Sequence, residues 1–274
     1  MTSRRCWNAI ETLHVGVYFT PRTQEVYGAL GLRGYWMGYF ASRSAALGRP
    51  TPEVVVATFH GFAPRLVHRA IPEAWRRAAP EDVLTARHTL ARELLDPVAE
   101  RAASLAPRLR AVLAGMDWAG KPLAAAHAAV EPDPDPVVDF WQSLTALREY
   151  RGDCHVAVLT SAGLGGAAAN ALAVATGWSR FRDQRERRGW TVEEWQSAID
   201  ELAVRGWLTP DGKATDTGTA ARRQIEDATD RVVAAGLDRE ATSRLVTLTD
   251  ELESMAQEWS GDHPTLTGGP LRSS

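Results

Sequence analysis

Little in this chain of 274 residues carries a ready-made function. Its two cysteines, Cys6 and Cys154, have neither CxxC nor zinc-finger spacing, which removes a disulfide framework and a thiolate metal site and suits a reducing cytoplasm. The seven histidines form no HxxxH or HExxH pair, and Gly163-Leu-Gly-Gly166 lacks the Lys-Ser/Thr that follows in a phosphate loop. No metal and no cofactor are therefore expected. A formal net charge of −3 gives no global attraction to nucleic acid, so any basic patch must be local. No apolar run approaches the roughly 20 residues of a membrane span. Met1–Arg5 leads into Cys-Trp-Asn rather than the apolar core of a signal peptide. The expectation is a soluble, cytoplasmic protein with no membrane partner.

What the chain does have is a long series of helix signals. Trp7, Ile10 and Val17 at helical spacing predict a first helix ending at Thr20-Pro21, and Glu11, His14 and Tyr18 can share one of its faces. Tyr35, Tyr39 and Arg43 follow at successive i+4 steps, so one face reads phenol, phenol, guanidinium. Two phenols in line with an arginine point to a polar seam, because a buried hydroxyl needs a partner. Thr51-Pro52-Glu53 and Pro80-Glu81-Asp82 are helix starts. Glu131-Pro-Asp-Pro-Asp-Pro136 is a stiff extended segment and the best candidate hinge. The prediction is a helical domain over 1–130, a linker at 131–136, a second domain over 137–240, and a helix with a tail over 241–274.

The last third has its own texture. Thr191-Val-Glu-Glu194 is a capping box opening a helix through Val204, Gly206 ends it, and Pro210-Asp-Gly-Lys213 makes a tight turn before a helix running to about Ala235. The order of helix, Arg-Gly-Trp-Leu, Asp-Gly turn, Thr-x-x-Gly and long helix resembles the winged helix of the multiple-antibiotic-resistance (MarR-type) regulators. The fold class expected is mainly α, with an N-terminal helical domain and a C-terminal winged-helix-like domain bearing a short β-wing. The resemblance also implies a homodimer and a recognition position at Thr191–Val204. A helix reading DNA needs cationic and amide side chains, yet this one offers Glu193, Glu194, Asp200 and Glu201. DNA is therefore the disfavoured partner. If any residues grip phosphates they are Arg185, Arg187 and Arg188, within an arginine run that interleaved acids can equally neutralise.

The densest run of ionisable groups is Leu147-Arg-Glu-Tyr-Arg-Gly-Asp-Cys-His155. On a helix, Arg148, Arg151 and His155 share one face, while Glu149 and Asp153 pair on another. Charges led into the apolar segment that follows must be paired, so an internal Arg–carboxylate network is expected. Together with Trp7 to Phe19, Leu30-Gly-Leu-Arg33-Gly34, Met37-Gly-Tyr-Phe40, Arg43 and Arg188-Gly-Trp-Thr-x-Glu-Glu-Trp195, this run resembles an actinobacterial, SalK-like helix-turn-helix family. That resemblance implies a histidine and a glycine where this chain has Tyr150 and Cys154, so imidazole chemistry at position 150 is in doubt.

Three functional readings follow. The first is a small-molecule-binding protein with a degenerate winged helix. Its pocket for an aromatic or anionic metabolite is lined by His14, Tyr18, Arg33, Tyr35, Tyr39, Arg43, Arg148, Arg151 and Asp153. The second is an enzyme of specialised metabolism, with His155 as acid/base and Arg148 and Arg151 stabilising an anion. No carboxylate within the stretch is placed to orient His155, so Glu11 would have to serve. The third is a ligand-responsive DNA-binding regulator of the MarR type.

Overall fold

A computed structural model describes residues 4–179 and 181–262. The helices run in chain order as α1 (Arg4–Phe19), α2 (Arg22–Ala29), α3 (Gly34–Ser44), α4 (Pro52–Thr58), α5 (Pro64–Ala70), α6 (Glu73–Arg77), α7 (Pro80–Leu94) and α8 (Ala99–Leu113). They continue as α9 (Pro122–Ala128), α10 (Pro136–Ser161), α11 (Gly166–Ala175), α12 (Gln184–Arg187), α13 (Val192–Val204), α14 (Asp216–Ala235) and α15 (Arg239–Asp262). Proline opens five of the longer-range starts because it has no amide to leave unpaired at N1, as at Pro52, Pro80 and Pro136. Asp135 caps α10 by accepting from the Val137 amide.

The large core is organised around the N-terminal half of α10. Phe140, Trp141, Leu144 and Leu147 are all essentially inaccessible, because α1, α7, α8, α9 and α14 close around this helix. That enclosure explains why the segment 137–147 is buried nearly all round rather than along one stripe. The same apolarity lets α10 and α11, bent by 102° between them, meet the composition of a broken membrane span, but no single described helix is long and apolar enough to cross one. A second, smaller core forms from Leu159 and Leu164 with Leu172, Leu202, Leu208 and Ile225, so that α10 threads both.

The expected β-wing is corrected by the structure. No strand forms among the described residues; Leu208 and Ala214 share one isolated bridge. Only five residues separate them, Pro210 cannot donate to a ladder, and Gly212 sits at φ +79°. Thr209 closes the turn instead, its amide donating to the Lys213 carbonyl at 2.8 Å and its hydroxyl accepting from the Lys213 amide.

The smaller core docks on the large one through the loop after α4. A side chain at Gly166 would collide with the His60 carbonyl, 2.1 Å from where its Cβ would be, so only glycine permits this approach. Around it, Asn170 Nδ2 and Trp190 Nε1 both donate to the Gly61 carbonyl, the Ala63 amide donates to the Arg188 carbonyl, and Arg65 pairs with Glu194 at 2.7 Å.

Candidate functional site

Where the two cores face each other they leave a cavity of about 1350 Å³. Its walls come from α1, the α4–α5 loop, α10, α11, the segment after it, and α14. Among the described residues, eight arginines and four carboxylates line it, and two of the arginines, Arg4 and Arg5, pair with carboxylates outside the lining.

One end is built on Glu149, which is 1% exposed. Arg43 meets its carboxylate with one guanidinium nitrogen on both oxygens, at 3.0 and 2.8 Å, and Arg148 adds a bond at 2.7 Å. Burial alone would raise this carboxyl, but the two guanidinium groups hold it well below the usual range. Arg148 reaches Glu11 as well, at 2.9 Å. Arg43 also donates to the Tyr39 hydroxyl at 3.2 Å and lies over the Phe59 ring.

The third cation here is Arg188. Its guanidinium lies 4.1 Å over the Phe62 ring and beside the Tyr39 phenol, and its Nε donates to Gln184. No ion pair joins it to a carboxylate among the described residues. Burial, reinforced by repulsion from Arg43 and Arg148, lowers its pKa from the ordinary value. Tyr39 responds in the same field: burial would raise the phenol, but Arg43, Arg188 and Arg148 bring it below its ordinary value.

The other end centres on α14. Glu226 takes Arg151 at 2.7 Å and Arg222 at 2.5 Å, and Asp230 takes Arg151 at 2.9 Å and Arg4 at 2.8 Å. Burial opposes the ionised form of Glu226, yet its cationic neighbours bring it down to about 2. Trp178 covers this cluster, with the Arg222 and Arg4 guanidinium groups 5.1 and 5.6 Å from its ring. His155 is held by Thr229, Nδ1 to Oγ1 at 2.9 Å. Thr229 spends its own proton on the Ile225 carbonyl, so His155 Nδ1 is the donor and Nε2 carries the lone pair. Burial outweighs nearby Glu226 and lowers the imidazole to about 4, so the ring is neutral at neutral pH.

A helix-turn-helix family model matches residues 3–262. The chain belongs to this helix-turn-helix family. No curated protein and no solved structure matches it. In this helix-turn-helix protein α12 turns into α13 through Gly189 at φ +77°. The solvent face of α13 presents Glu193, Gln196, Asp200 and Glu201 between Val192 and Val204, with no cation.

The sequence-predicted residues divide cleanly. Arg43, Arg148, Arg151, Asp153, His155 and Arg188 line the cavity. His14, Tyr18, Tyr35 and Tyr39 do not: His14 stacks on Trp141 at 4.9 Å, and Arg87 donates to Tyr18 at 2.8 Å and meets His14 at 3.2 Å, inside the large core. Tyr35 stacks against Tyr39 behind the arginine wall. Arg33 is exposed, away from the cavity. Asp153 accepts from the Leu123 and Ala124 amides at 3.0 and 2.9 Å and so caps α9; burial raises it to about 6 although those two amides favour the anion. The group that orients His155 is Thr229, with Glu226 Oε1 at 3.9 Å, whereas Glu11 serves Arg148. Arg185 pairs with Glu186, and Arg187 pairs with Asp183 at 2.8 Å while stacking on Phe181. Sequence spacing missed Arg4, Trp178, Arg222 and Glu226; only the Arg222–Glu226 i,i+4 pair left any trace in it. Among the described residues no group of three or more His, Cys, Asp or Glu is placed to hold a metal ion. Cys6 and Cys154 are free, buried, and raised by that burial to about 11, which makes them poor nucleophiles.

Proposed function

We propose that the protein binds an anionic small molecule in the cavity between its two cores. The observation that carries this reading is Arg188, a half-buried guanidinium lining the cavity without a carboxylate partner among the described residues, set beside Arg43 and Arg148. A half-buried cation facing like charges is unfavourable until a counter-charge arrives, and a carboxylate, sulfonate or phosphate between Arg148 and Arg188 supplies one with charge-assisted hydrogen bonds. The catalytic alternative is weaker. An imidazole lowered to about 4 is a poor general base at neutral pH, and its orienting partner is a hydroxyl.

The family match also favours a DNA-binding regulator, and the surface chemistry opposes it. Phosphate neutralisation dominates DNA affinity, and α13 offers carboxylates where cations are needed. Arg188, the best-placed arginine of its run, is turned into the cavity.

Fluorescence titration with anilinonaphthalene sulfonate, an aromatic anion, tests the binding reading. Saturable binding by the wild type, weakened at least about tenfold in Arg188→Gln with circular dichroism unchanged, is the expected result. Equal binding by the two proteins contradicts it. Salt-sensitive binding of a labelled duplex, weakened on neutralising Arg185 and Arg187, would establish the regulator instead.

A further inference from the structure

The cavity has two chemically different ends, and they lie along one helix. Arg148 and His155 are separated by two turns of α10 on a single face, which at helical rise places them about 10 Å apart. The Arg148 end is short of negative charge, as described above. At the His155 end the charges balance: Arg4, Arg151 and Arg222 face Asp227, Asp230 and Glu226 in ion pairs. Each of these three cations already has a carboxylate partner, so none of them is left for a second anion. What that end offers is the His155 imidazole, whose single proton is committed to Thr229 and whose Nε2 can only accept. Glu226 Oε1, 3.9 Å from Nδ1, holds the proton on that nitrogen.

On α10 Arg151 lies between the two ends, already paired with Glu226 and Asp230, and the rest of the wall carries several apolar side chains. Phe59 and Phe62 lie under Arg43 and Arg188, Trp178 lies against Arg222 and Arg4, and Val156, Leu159 and Leu172 add apolar surface. We infer, resting on the anion-binding reading, that the ligand is an elongated aromatic acid bearing a hydroxyl or amine N–H about 10 Å from its anionic group, the anion held by Arg148 and Arg188 and the donor read by His155 Nε2. His155 is thus a specificity-determining residue rather than a proton-transfer group. A site built to accept a hydrogen bond leaves its lone pair buried and unsatisfied against a ligand lacking the donor, and this penalty is what discriminates.

Two probe acids separate the possibilities. Biphenyl para-carboxylate, and the same acid with a hydroxyl at the far para position, have the right length and differ only in the donor. Calorimetric titration of the wild-type protein is expected to show the hydroxylated acid binding about tenfold tighter. In His155→Phe, and independently in Thr229→Val, which frees the tautomer, that preference is expected to collapse towards equality. Equal affinity of the two acids for the wild type overturns the inference and leaves the anion-binding reading standing. A preference that survives in His155→Phe also overturns it, because another group must then read the hydroxyl. Failure of both acids to bind a folded wild type overturns the anion-binding reading itself.

Discussion

The large helical core and the smaller core treat buried polar groups in different ways. In the large core many of them are consumed internally, although Trp141 Nε1 and Ser143 Oγ find no partner among the described residues. Arg87, wholly inaccessible, donates to the Ser42 carbonyl and Tyr18, His127 meets the Arg43 carbonyl, Gln142 donates to the His127 carbonyl, and Trp259 donates to the Leu94 carbonyl. The smaller core is nearly all leucine, isoleucine and alanine, with few polar atoms to satisfy. Arg87 in the large core and Arg188 at the boundary both lack a carboxylate among the described residues, but Arg87 spends its donors on the Ser42 carbonyl and the Tyr18 hydroxyl, whereas half-buried Arg188 lines the cavity. Polar groups fixed on both sides lock the large core's geometry, and the charge left at the boundary marks where a ligand has something to contribute.

The sharpest way to break this contrast is to unpair the network at its root. Arg43→Met leaves Glu149 buried with one guanidinium instead of two, and a loss of about 3–5 kcal/mol is expected in urea unfolding. Glu149→Gln in the same background should recover part of that loss.

Acid separates the regions in a second way. His127 and His155 are lowered from 6.5 to about 3 and about 4, chiefly by burial, and His14 is lowered well below 6.5 for the same first reason. For a base lowered in the folded state, the unfolded chain takes the proton first. Stability is therefore complete above 6.5 and is lost progressively as pH falls from 6.5 towards the folded values. By pH 5, His127 and His155 together should cost on the order of 4 kcal/mol. The paired carboxylates Glu149 and Glu226, held low, act in the same direction only at still lower pH. Thermal melts across pH 7 to 4 check this, and His155→Phe should remove about half of the loss assigned to these two histidines.

Within the smaller core, Leu202→Ala is expected to cost about 3 kcal/mol, and hydrogen exchange should accelerate in α11 and α13 well before α8. Simultaneous exchange of all three helices would mean the cores are one cooperative unit. The smallest effect belongs to the capping box. Thr191 accepts from the Glu194 amide at 3.1 Å and Glu194 accepts from the Thr191 amide at 2.8 Å, so Thr191→Ala should lower stability by about 1 kcal/mol.

Helices were legible wherever chemistry marks an end. Thr51-Pro52, Pro80 and the Thr191 box each open a helix where the sequence predicts one, because caps and prolines act locally, whereas Pro136, read as the end of the linker, is the first residue of α10. The strand pair of the wing was not legible as absent, since the Asp-Gly turn that permits a hairpin is equally content with one bridge when no residues remain to extend it. In the site, the shared face of Arg148, Arg151 and His155 followed from helical spacing, and all three line the cavity. Their partners did not follow. Glu226, Thr229 and Asp230 lie more than 70 residues away, on a helix whose packing against α10 no local pattern encodes. His14 and Tyr18 misled for a related reason. Their polar atoms suit a pocket or a core equally, and Arg87, far along the chain, decides for the core.

The account rests on an anion seated between Arg148 and Arg188, and a crystal of the protein grown with para-iodobenzoate addresses that claim directly. Anomalous density for the iodine inside the cavity, with the carboxylate in hydrogen-bond contact with Arg188, is the predicted result. Iodine found only on the outer surface, or no iodine peak at saturating acid, would contradict it.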